Sequence, residues 1–202
     1  MQQGISSRTN RFSRWLLPLL TILIIFAIVF SALRNNIHVV IPNQVIRSAQ
    51  LSTTTLNILV RLKGIKTIVN LRGQNQESAW YRQEVLLSKQ LNIEHYDIAL
   101  SSKFAPEQQK LQQLVTIIRT AKKPILFHCE SGADRSGLAS AIALILLNNV
   151  ELTNAMQQFS WRYFVIANDS VGKVVFGNYQ EWLTNQGLSS NKDTFLKWIY
   201  SK

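Results

Sequence analysis

The stretch that most constrains this chain is residues 124–147. Pro124-Ile125-Leu126-Phe127-His128 is an apolar run too short for a helix. It is followed by a loop containing Gly132 and Gly137, and then by residues 136–147, which are rich in Ala, Leu and Ile nearly all round. A helix apolar on every side has to be buried, and about twelve residues are too few to cross a bilayer. The only arrangement that satisfies all three pieces is a central strand that turns directly into a helix packed on its own sheet.

The rest of the chain keeps that rhythm. Residues 37–41 and 45–47 read as a strand pair, and Ser52 caps a helix carrying Leu56, Leu59, Val60 and Leu62 that Gly64 ends. Residues 67–71 read as a buried strand, 78–91 as a helix and 94–98 as a strand ending near Asp97. Pro106 opens a further helix in which Leu111, Leu114, Val115 and Ile118 share one face. Helices are expected over 152–166, 173–186 and 192–201. The fold class is therefore α/β, a central, mostly parallel sheet flanked by helices.

Composition excludes several functions. With 202 residues, 47% hydrophobic, the chain is neither disordered nor low-complexity. One cysteine permits no internal disulfide and no thiolate metal cluster, so no metal and no cofactor are expected. The net charge of +11 favours polyanionic partners, but no nucleic-acid motif accompanies it and none is expected as a partner.

Residues 15–33 carry no charge, and Arg8, Arg11 and Arg14 precede them without an acidic residue. At about 1.5 Å per residue such a run covers roughly 28 Å, the thickness of the hydrocarbon layer. The expectation is a basic cytoplasmic segment over 1–14, an uncleaved transmembrane anchor over 15–33, and a catalytic domain over 36–202 on the far, periplasmic or extracellular side.

The chemistry lies in His128-Cys129-Glu130-Ser131-Gly132-Ala133-Asp134-Arg135-Ser136-Gly137. A loop between a strand and a helix amino terminus turns successive N–H groups into one concavity that suits a tetrahedral oxyanion. Glu130, Ser131, Gly132, Ala133 and Arg135 are thus the candidate substrate-binding residues. The same field, with Arg135, favours thiolate over thiol at Cys129. The planar fork of Arg135 can bind two oxygens of a phosphoryl group.

His-Cys, five residues, then Arg-Ser resembles the signature loop of the cysteine-based protein tyrosine and dual-specificity phosphatases. Ile46-Arg47-Ser48-Ala49-Gln50, residues 64–73 and Trp161-Arg162-Tyr163 are similar to segments of bacterial dual-specificity-type members, so the resemblance covers about residues 40–185. It implies that Cys129 attacks phosphorus to form a cysteinyl-phosphate, that Arg135 binds the phosphoryl group and that Ser136 assists the departing thiolate. His128 then orients the loop.

The general acid has two candidates. Asp134 matches relatives with Gly-x-Asp-Arg in this loop and is preferred to Asp97, which precedes Cys129 by a family-like interval. Arg47, Arg72 and Lys103 are expected either at the mouth of the site or on solvated surface, and Trp161-Arg162-Tyr163 is expected as aromatic core. The expected substrate is a phosphorylated protein, with a lipid or inositol phosphate as the alternative. Rhodanese- or arsenate-reductase-like chemistry and a non-catalytic phosphate-binding module remain the competing classes.

Overall fold

The computed structural model describes residues 18–23, 25, 34–167 and 169–201. The chain divides into two units, residues 1–34 and residues 35–202. In the first, residues 18–23 are helical. The transmembrane span expected over 15–33 lies largely outside the described residues, and among those described no helix is long and apolar enough to cross a membrane.

In the second unit five short strands form one sheet: β1 (His38–Ile41), β2 (Val45–Ser48), β3 (Thr67–Asn70), β4 (Glu94–Asp97) and β5 (Ile125–His128). Their spatial order is β1-β2-β5-β3-β4. The β1–β2 hairpin is antiparallel and the three other pairings are parallel. Thus the sheet is mixed, and β5, the apolar run 125–128, is its centre.

Strand periodicity splits the core in two, because successive side chains face opposite sides. On one side Ile46, Ile68 and Leu126 pack under α1 (Thr53–Lys63) and α2 (Ala79–Gln90) with Leu56, Leu59, Val60 and Leu87. On the other, Val45, Val69, Ile125 and Phe127 meet α3 (Gln108–Thr120) and α4 (Asp134–Asn148). The same core takes in α6 (Val171–Gln186) and α7 (Lys192–Tyr200), which follow the one-turn α5 (Leu152–Ala155). Ser52 accepts the N–H of Thr55 at the start of α1 and Gly64 closes it, as the capping pattern requires. Leu111, Leu114, Val115 and Ile118 are all buried.

The helix expected over 152–166 is not continuous. It breaks into α5 and two 3-10 turns, Met156–Phe159 and Trp161–Tyr163, with extended backbone at Ser160. Tertiary contacts override the local pattern here. Phe159 is turned in against Gly172, where an added Cβ would lie 1.8 Å from its ring, and the 158 carbonyl is committed to a buried arginine. Pro106 lies two residues before α3, not within its first turn, and α6 begins two residues earlier than expected.

Candidate active site

The segment 129–133 joins β5 to α4. Its carbonyl groups are held from behind. Glu130 O accepts the N–H of Gln50 at 3.1 Å, and Ser131 O accepts Asn36 Nδ2 at 3.0 Å. Gly132 O and Ala133 O both accept Arg47 Nη2, at 2.8 and 2.7 Å. In a trans peptide the C=O of one residue and the N–H of the next point in opposite directions. Pinning these four carbonyls therefore aims the N–H groups of Ser131, Gly132, Ala133 and Asp134 the other way. Among the described residues, no backbone acceptor takes a bond from any N–H between Glu130 and Arg135. The result is an oriented row of unspent donors at the start of a fifteen-residue helix, which can hold a tetrahedral anion.

Gly132 has no substitute in this loop. Its φ is +71°, and a Cβ there would sit 2.5 Å from the Ala49 nitrogen and 2.6 Å from the Ser48 carbonyl carbon.

Cys129 is buried to 1% exposure at the strand end. Arg135, in the first turn of α4, is half-buried, and its Nε is shielded from solvent without a hydrogen-bond partner. Asp134 is half-buried beside it and forms no ion pair among the described residues. Ser136 is fully buried, and its Oγ donates to the Ser48 carbonyl at 3.3 Å. Among the described residues no group of three or more His, Cys, Asp or Glu side chains is arranged to hold a metal ion.

Asp97 is placed differently. It closes β4, where Oδ1 accepts Asn70 Nδ2 at 2.8 Å and Oδ2 accepts the Tyr81 hydroxyl at 2.7 Å. Burial, the bond to Asp97 and the nearby charges of Asp97 and Glu84 push the Tyr81 phenol up to about 12, so it remains a donor.

The model of the family described as "DSP-PTPase phosphatase fused to NAD+ Kinase" matches residues 28–163, which include the loop and the strands that hold it. The chain belongs to this DSP-PTPase family. It is a cysteine-based phosphatase of the dual-specificity and protein tyrosine phosphatase superfamily. No curated protein matches the sequence.

Solved structures agree in fold. The core catalytic domain of the PP-IP phosphatase SIW14 from S. cerevisiae is 18% identical, with 75% of this chain and 93% of that chain covered and a TM-score of 0.59. For Tk-PTP the values are 19%, 74%, 95% and 0.55, and for PTPMT1 16%, 75%, 98% and 0.55. At these identities the likeness shows the fold alone.

Within this DSP-PTPase domain two charged residues have positions that the sequence reading did not give them. Arg47, expected at the mouth or on solvated surface, lies beneath the loop with no exposure. Its Nη1 donates to Gln158 O and Oε1, each at 2.9 Å, and its guanidinium lies 4.1 Å from the Tyr163 ring centre. Burial lowers it to about 10, far enough above neutrality that it stays cationic. The signal was a lone charge inside a strand, Val45–Ser48, whose every residue is buried.

Glu84 on α2 is the second, with 3% of its surface exposed. Its Oε1 accepts His128 Nε2 at 2.9 Å and His95 Nε2 at 3.0 Å, while Oε2 accepts Gln50 Nε2 at 3.0 Å. Burial pushes this carboxyl up, but the charges and hydrogen bonds of His128 and His95 outweigh it and hold it down at about 2. Its signal was a carboxylate on the buried stripe of α2, between Tyr81 and Leu87.

The other two basic residues are placed as follows. Arg72 lies over the Trp80 ring at 4.2 Å and donates to Gln50 Oε1 at 3.3 Å, whereas Lys103 sits in an exposed turn capped by Ser101 Oγ. Trp161-Arg162-Tyr163 splits. Tyr163 is core, but Trp161 is 84% exposed.

Proposed function

We propose that this DSP-PTPase hydrolyses phosphomonoesters in two steps through a cysteinyl-phosphate on Cys129. The observation that carries the reading is the row of N–H donors from Glu130 to Arg135, unspent on any backbone acceptor and set beside the unpartnered Nε of Arg135. In the first step the Cys129 thiolate forms an S–P bond as the ester P–O bond breaks. The loop donors and Arg135 take up the charge that moves onto the equatorial oxygens. In the second, water attacks phosphorus, the S–P bond breaks, and orthophosphate leaves.

Asp134 is assigned as the acid that protonates the leaving oxygen. Both oxygens of Asp97 already accept hydrogen bonds, whereas Asp134 sits beside Arg135 with no ion pair among the described residues. Ser136 supplies a hydroxyl to the departing thiolate once it leaves its long bond to Ser48.

The substrate assigned is a phosphorylated protein, on tyrosine or on serine and threonine. An inositol or lipid phosphate is the second reading, favoured by the net charge of +11 and by the fold shared with the PP-IP phosphatase SIW14. The uncharged run 15–33 behind three arginines supports a single-pass anchor with the catalytic unit outside the cytoplasm. Protease added to spheroplasts, whose inner membrane alone is intact, should then digest residues 35–202.

The deciding experiment is p-nitrophenyl phosphate hydrolysis by the purified full chain with chelator present. Wild type should turn over, and Cys129→Ser and Arg135→Ala should not. A folded but inactive wild type would move the assignment to sulfur or arsenate chemistry or to phosphate binding without turnover.

A further inference from the structure

Glu84 serves neither the anion cradle nor the hydrophobic core, yet it is a carboxylate almost wholly removed from water. Keeping such a group ionised inside a fold is costly unless it is paired and hydrogen-bonded. We propose that Glu84 is a positioning residue for the phosphatase reaction. One of its oxygens holds the Nε2–H of both His128 and His95, tying the strand end that leads into Cys129 to the strand end that carries Asp97. The inference rests on Cys129 being the nucleophile.

The connectivity is continuous. Because Oε1 accepts from both rings, each imidazole must carry a hydrogen on Nε2. His128 is the residue before Cys129, and its buried Nδ1 has no partner. His95 Nδ1 lies 3.8 Å from Asp97 Oδ2. The other oxygen of Glu84 takes Gln50 Nε2, and the backbone N–H of Gln50 holds the Glu130 carbonyl of the loop itself. One carboxylate thus reaches the loop by two routes, through a ring beside the nucleophile and through an amide behind the cradle.

Its charge has a consequence for the reaction. The groups facing Glu84 are His128 from β5, His95 and Asp97 from β4, Tyr81 from its own helix, and Gln50, itself bonded to Arg72. An uncompensated anion here would oppose a thiolate at Cys129. With Glu84 ionised, both Nε2–H groups are held on one anion and the ring beside the nucleophile is fixed. A neutral amide at 84 offers one oxygen and its own N–H donors in that place, so the ring beside Cys129 loses its fixed orientation and the loop supports the thiolate less well.

The test is the pH dependence of kcat/KM for p-nitrophenyl phosphate with the full chain in detergent, comparing wild type, Glu84→Asp and Glu84→Gln. The expected result for Glu84→Gln is an acid limb about one unit higher, a loss of about tenfold on that limb, and convergence with wild type above it. Glu84→Asp, which keeps the charge on a shorter arm, should fall between. A lowered melting temperature with an unmoved limb would mean a purely structural role and overturn the inference. An inactive wild type would overturn the function reading and this inference together, whereas an active one with an unmoved limb overturns the inference alone.

Should Glu84→Gln not fold, nitrogen NMR of the wild-type imidazoles decides. The Nε2 of both His95 and His128 should carry a hydrogen held to one carboxylate, seen as two slowly exchanging ring N–H signals. Absence of either signal from the folded protein would refute the shared bond.

Discussion

Arg47 and Arg135 flank the same five-residue loop, one on the neighbouring strand β2 and one in the first turn of α4, and they are spent in different ways. Arg47 places two guanidinium nitrogens on four protein acceptors and a ring face, with none of its surface in water. The Nε of both arginines is buried without a partner, but Arg135 is half-exposed and makes no side-chain hydrogen bond or ion pair among the described residues. A buried cation whose terminal nitrogens are all bonded fixes the shape of a loop, whereas one that bonds nothing is free to take a ligand. Arg47 aims the donors of the cradle, and under the proposed mechanism Arg135 completes it.

The largest effect should come from breaking the first half of that pair. Arg47→Ala strands the Gly132 and Gln158 carbonyls together and leaves Ala133 O with only the Gly137 N–H, and chemical denaturation should read a loss of about 3–5 kcal/mol, with activity falling in step. If that variant lost activity while keeping wild-type stability, Arg47 would belong with the ligand groups. Arg135→Lys is the complement. Turnover of p-nitrophenyl phosphate should drop by about 10²–10³, because a lysine cannot reproduce the planar fork, while stability changes by less than about 1 kcal/mol.

The two aspartates sharpen the contrast one step down. Asp134→Asn should cost about 10²-fold on alkyl phosphates and much less on p-nitrophenyl phosphate, whose leaving group needs little protonation. Asp97→Asn should instead cost about 1–3 kcal/mol of stability through Tyr81 and Asn70, without dependence on the leaving group. Equal losses on both substrates for Asp134→Asn would remove it as the acid.

A further effect is confined to acid. Glu84 is held at about 2, below an ordinary value of 4.5. The stability it supplies is therefore complete above pH 4.5 and is lost as pH falls toward 2. Unfolding curves over that window should lose on the order of 2–3 kcal/mol in wild type and not in Glu84→Gln. Parallel curves for the two proteins would contradict the assignment.

What could be read from the residues alone follows from distance along the chain. The strand, loop and helix of residues 125–148 are contiguous, so short-range hydrophobic pattern and motif spacing suffice to place Cys129, Gly132 and Arg135 around one concavity. Arg47 meets its partners 85 to 111 residues away, and Glu84 reaches His128 across 44. No local pattern reports such pairs. An isolated charge in an apolar strand or on the buried stripe of a helix marks only that a partner must exist. Residues 152–166 failed for the same reason, because helical spacing there gave way to what Arg47 and the space around Gly172 demand.

The central claim is that Cys129 carries the phosphoryl group during turnover. It is tested most directly by acid-quenching the full-length enzyme within the first turnovers of p-nitrophenyl phosphate and mapping the phosphorylated peptide by mass spectrometry. The account predicts a phosphoryl group on Cys129 that disappears with excess time and never forms in Cys129→Ser. Phosphate found on Ser131, Ser136 or His128, or steady turnover by Cys129→Ser, would contradict it.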